Sequence, residues 1–94
     1  MIEVVLGWPP SDLSPNARLH WAKLARAKKQ YRQACHSVTK EQLKKYPKYS
    51  ELPEILVLEM TFIPPDRRSY DRDNLVARMK SGIDGLSDAL RIND

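Results

Sequence analysis

Residues 64–86 read PPDRRSYDRDNLVARMKSGIDGL. Two prolines stop whatever precedes them, six of the next eight residues are charged, and an apolar periodicity then begins. With ~100° of turn per residue, Leu75, Met79, Ile83, Leu86 and Leu90 fall in one arc, which predicts a core-facing helix over residues 74–90. Asp73, Lys80, Asp84 and Asp88 form a separate stripe beside that arc, with Asp71 just ahead in the loop. Two readings stay open for these carboxylates. Asp at a helix start is favoured by capping and by the helix dipole, and Lys80 with Asp84 is an ordinary i,i+4 pair. Two aspartates flanking one arginine can also aim at a single hard cation, with Lys80 placed to offset charge developing on a phosphate.

Working outward, residues 54–63 alternate between two apolar faces, as in a central strand covered on both sides. Residues 2–6 form a second short apolar run suited to a strand. Between them, the Pro- and Ser-rich stretch around Trp8 excludes regular structure. A long helix follows, with Ser14 as its cap and Pro15 at its first position. Its stripe of Trp21, Leu24, Tyr31, Cys35, Val38 and Leu43 runs to about Lys45, and Pro47 ends it. The expected fold class is therefore α/β (α+β), a small mixed β-sheet packed with two main helices. Two strands make a poor sheet, so completion by further strands or by dimerisation is expected.

At 94 residues the chain is expected to form a single domain over residues 1–94, continuing beyond its C-terminus in the complete protein. No apolar run approaches the ~20 residues of a membrane span, and no signal peptide is expected, which makes the cytoplasm the expected compartment. One cysteine, Cys35, excludes an internal disulfide and a Cys-rich zinc site, and it reads as a small apolar residue on a helix face. His20 and His36 lack nearby matching acids and do not read as metal ligands. The net charge of +4 is unevenly spread: residues 18–45 hold nine Lys or Arg and one acid, a net +8, leaving −4 for the remainder. A basic element joined to an acidic one points to a polyanion, with nucleic acid favoured. Tyr70 suits either stacking on a base or packing against a sheet edge.

Three stretches resemble the RusA family of Holliday junction resolvases, common in phages and prophages. They are GWPPSDLSPNARLHW (7–21), FIPPDRRSYDRDN (62–74) and KSGIDGLSDALRIND (80–94). The resemblance implies a Mg²⁺- (or Mn²⁺-) dependent endodeoxyribonuclease, acting as a homodimer on branched DNA in recombination and repair. It assigns metal-binding catalytic roles to Asp71 and Asp73, a catalytic lysine at Lys80, and a third carboxylate at Asp94 or at a residue beyond it. Arg18, Lys23, Arg26, Arg67, Arg68 and Arg72 are the expected DNA contacts. The alternative is a non-catalytic phage DNA-binding or regulatory protein whose aspartates only cap a helix. An aspartyl-nucleophile phosphatase is disfavoured, because PPDRRSY separates the carboxylates from the end of the strand.

Overall fold

A computed structural model describes residues 3–46, 58–67 and 69–91. A short 3-10 turn, Ser11–Leu13, precedes helix α1, Trp21–Leu43. Helix α2 is Arg72–Arg78 and helix α3 is Lys80–Arg91. α1 packs chiefly on α3, with the 3-10 turn against α1 and α2.

The expected sheet is not formed: the described residues are helical or irregular, with no strand among them. The N-terminal run shows the physical reason. Val5 donates its N–H to Gln42 Oε1 (2.8 Å) and accepts from Gln42 Nε2 (2.6 Å), so one side-chain amide replaces the neighbouring strand. Leu6 then packs on the helical core. Residues 58–63 are irregular too, and Phe62 sets its ring edge-on to Trp8 at 6.0 Å. The rest of the strand expected over 54–63 lies outside the described residues.

The long helix also begins later than its caps suggest. Ser14 heads a turn, accepting from Asn16 N–H through its hydroxyl (3.2 Å) and from Ala17 N–H through its carbonyl (2.9 Å). The first helical residue is instead Trp21, where His20 Nδ1 accepts from Ala22 N–H at 3.2 Å. Further along, Tyr31, Cys35, Thr39 and Leu43 are buried at i,i+4 spacing. Trp21 and Val38, expected on that stripe, are exposed.

The C-terminal helix starts at Arg72 and tightens at Met79. There the N–H is shared between Leu75 O (3.1 Å) and Val76 O (3.2 Å), while Ile83 N–H still reaches Met79 O at 2.9 Å. Leu75 and Met79 of the expected apolar arc are buried, but from Lys80 onward the buried face differs from that arc. Ser81, Gly82, Gly85 and Ala89 are buried, whereas Ile83, Leu86 and Leu90 are only partly so. Small residues let the two backbones approach closely, and Tyr31 and Cys35 of α1 fill the space above the glycines. Leu13, Tyr31, Cys35 and Met79 form the core, flanked by Leu6, Leu24, Ala27, Phe62 and Ile83.

Two polar ties hold the Pro-rich segment to this helix pair. Tyr31 donates its hydroxyl to Gly7 O at 2.6 Å, and the buried Arg78 donates Nη2 to Pro9 O at 2.6 Å. Burial raises the Tyr31 phenol above its ordinary range and likewise pushes the Cys35 thiol up. The fold thus favours the protonated thiol. Its contribution to stability is complete below the unfolded thiol's ordinary value, ~8.5, and declines as pH rises above it. Iodoacetamide is expected to modify Cys35 slowly in the native protein and rapidly in denaturant. Equal rates in the two states would show that the α1–α3 contact does not cover the thiol.

Candidate functional site

The SPN segment and the start of α2, about sixty residues apart in sequence, meet in space. Ser14 Oγ donates to Asn74 Oδ1 at 3.2 Å, fixing the Ser14-Pro15-Asn16 turn against the helix start. Asp71 is the N-cap of α2, its Oδ1 accepting from Asn74 N–H at 3.0 Å. Pro15, Asn16, Asp71, Asp73 and Asn74 line one shallow depression of about 370 Å³. Both expected carboxylates are therefore together, exposed to solvent, at the mouth of a short helix.

Pro15 is also part of the wall of a larger cleft, about 560 Å³, between the N-terminal loop, α1 and α3. Its charged lining is Lys28, Lys29, Arg32, Lys80 and Asp84. Arg32 is fixed by Asp88, with Nε to Oδ2 at 2.6 Å and Nη2 to Oδ1 at 2.9 Å, and Asp84 lies 4.0 Å from Nη1. Hydrogen bonding to Asp88 raises the Arg32 pKa above its ordinary value. Lys80 reaches Asp84 at 3.7 Å, yet its side chain stays 82% exposed and free to swing. Lys28 and Lys29 make no ion pair among the described residues. The cleft therefore presents three lysines, one of them near Asp84, around a guanidinium already held by Asp88, a net positive lining that suits an anion.

The remaining expected contacts are spread more widely. Arg18, Arg67 and Arg72 are exposed. Lys23 and Arg26 are exposed as well, but at two and five residues from Trp21 they lie on the far side of α1 from Lys28 and Arg32. Arg68 and Asp94 lie outside the described residues. Tyr70 sets its ring against Trp8 at 5.2 Å and donates its hydroxyl to Asp66 at 2.9 Å, which suits packing better than stacking on a base. Sequence reasoning counted Lys28, Lys29 and Arg32 only toward the net charge. Their signal was spacing: Lys28 and Arg32 are i,i+4, on the face of α1 turned to the second helix.

A hard divalent cation takes oxygen ligands, and Mg²⁺ commonly keeps several waters while using one or two carboxylates. Asp71 and Asp73, with the amide oxygens of Asn16 and Asn74 nearby, fit that donor chemistry. Capping occupies one Asp71 oxygen and leaves the other available. Among the described residues no group of three His, Cys, Asp or Glu is gathered as a metal cluster. No helix among them is long and apolar enough to cross a membrane.

The chain is 40% identical, over 98 aligned positions, to an uncharacterized protein of Xylella fastidiosa (strain Temecula1). The alignment takes in the whole chain and 61% of that relative's length. No family model and no solved structure matches the chain.

Proposed function

We propose that this chain is a divalent-metal-dependent endonuclease that resolves four-way DNA junctions by paired phosphodiester hydrolysis. The observation that carries the reading is adjacency: the Asp71/Asp73 depression and the cationic cleft share the Pro15 rim. Carboxylates beside a phosphate-binding groove are what hydrolysis of a polyanion requires, whereas a helix cap alone needs no such neighbour. Mg²⁺, held by Asp71 and Asp73, would supply an activated water and stabilise the leaving oxygen.

The chain's own residues supply the rest. Lys28 and Lys29 seat the phosphate backbone along the cleft, beside the Arg32 guanidinium held by Asp88. Lys80, exposed and only loosely paired with Asp84, turns to the scissile phosphate and offsets charge there. The Ser14–Asn74 hydrogen bond keeps the SPN turn, and thus the depression, in place. A homodimer presents two such sites to the two symmetry-related strands of a junction.

A second reading, a DNA-binding protein without catalysis, draws on the Asp71–Asn74 cap. The two separate on one gel. Labelled four-way junctions and linear duplexes are incubated with the purified protein in Mg²⁺, in Mn²⁺ and in chelator. Paired incisions confined to the junction and to metal are expected. Junction binding without cleavage in any divalent metal would overturn the nuclease reading. The cleft has its own signature: changing Lys28 and Lys29 together to Gln is expected to lower the slope of log affinity against log salt by about 1.8 in magnitude. An unchanged slope would remove the two lysines from the interface.

A further inference from the structure

Trp21 is the first residue of α1 and is 76% exposed, although a buried stripe runs along the same helix. An exposed indole offers a large apolar face with a polar N–H edge, a combination enriched at interfaces. Its position is specific. Lys28 and Arg32 lie seven and eleven residues on, about 20° to either side of it around the helix. Ala17 and Leu24, which bracket Trp21 in the chain, both line the cationic cleft. Trp21 therefore sits just beyond these lining residues, about 10 Å along the helix axis from Lys28. The His20 ring lies beside it, with centroids 5.4 Å apart and planes tilted by 34°.

We infer that Trp21, flanked by His20, is a stacking platform for an unpaired base of nucleic acid whose phosphates lie on Lys28 and Lys29. Every base offers a π-face, so such a platform selects for unstacked strands and not for sequence. A stacked duplex hides those faces, whereas frayed strands and the centre of a branched junction offer them. The positive cleft behind the indole is what favours nucleic acid over a protein partner. The inference rests on the reading of DNA as substrate and adds to it a preference for unpaired structure.

The test is a binding titration in chelator, so that it does not depend on cleavage. Fluorescein-labelled single strands, four-way junctions and blunt duplexes are titrated with wild type, Trp21→Ala and Trp21→Phe. Trp21→Ala is expected to weaken single-strand binding about 10- to 100-fold with little change for duplex, while Trp21→Phe recovers most of the loss. In a Trp8→Phe background, which leaves Trp21 as the one indole, emission should be quenched by single strands and not by duplex. Unchanged single-strand affinity in Trp21→Ala would overturn the inference. So would self-association abolished by Trp21→Ala with DNA binding intact, which would make the indole a contact between copies. A protein that cleaves nothing, yet loses single-strand affinity with Trp21→Ala, would defeat the nuclease reading and leave this one standing.

Discussion

Gly85→Ala is expected to lower the melting temperature by about 10–20 °C or to prevent folding. The added methyl group would fall well inside contact distance of the Arg32 carbonyl oxygen, and 3.1 Å from Cys35 Cβ. The oxygen belongs to the backbone of α1, so relief requires moving one helix against the other. Overpacking of this kind costs about 1–3 kcal/mol, sometimes more, and each kcal/mol shifts the midpoint of a domain this size by about 4–8 °C. Better helix propensity returns only ~1 kcal/mol. Two neighbours calibrate the result. At Gly82 the methyl would meet the ends of side chains, Tyr31 Cε2 at 2.7 Å and Met79 Cε at 2.8 Å, and a smaller loss is expected. At Gly7 it would meet open space, and Gly7→Ala should be nearly neutral. Circular dichroism melts of the three variants would reveal a Gly85→Ala as stable as wild type, which would mean that the helices do not approach as described.

Asp71→Asn and Asp73→Asn are each expected to reduce junction cleavage by on the order of 10²- to 10³-fold while leaving junction binding intact. Asn at position 71 separates the two roles of that residue. Its side-chain oxygen caps a helix about as well as a carboxylate does, so α2 keeps the bond to Asn74 N–H and the melting temperature should barely move. What disappears is the charge a divalent cation needs. Asp71→Ala removes both, and its further loss of stability, about 1 kcal/mol, isolates the cap. Single-turnover incision rates with saturating protein read the chemistry free of affinity. Wild-type rates in both Asn variants would reduce the two aspartates to capping residues.

The helices could be read from periodicity, and the sheet was misread for a physical reason. Val5 has the apolar neighbours of a strand, but strand pairing depends on a partner, and here the partner is a glutamine side chain thirty-seven residues away. Propensity carries no information about such a substitute. The α3 face was misjudged because size was taken as the mark of the core. Close approach of two backbones selects Ser81, Gly82, Gly85 and Ala89, which a hydrophobic scale ranks low. Trp21 was misplaced because its spacing fits the stripe, though the helix has barely begun there and the cleft opens beside it. At the candidate site, Asp71 and Asp73 were legible from local spacing. The Ser14–Asn74 bond and the contribution of Lys28, Lys29 and Arg32 were not, since they depend on segments distant in sequence coming together. Asp94 and Arg68, expected from the resemblance, lie outside the described residues.

The pairing of α1 with α3 has a consequence for how the chain reaches this state. Arg32 and Asp88 stand fifty-six positions apart, and no described helix lies between Leu43 and Arg72 to bridge them. On a ribosome adding about 5–20 residues per second, α1 emerges seconds before the surface that buries Tyr31 and Cys35 exists. Its apolar stripe must wait uncovered, within reach of chaperones or of another nascent copy. Closing so long a loop also raises contact order, which slows folding relative to bundles of adjacent helices. Synthesis rate and holdase supply should therefore govern the yield of soluble protein more strongly than the helix content suggests.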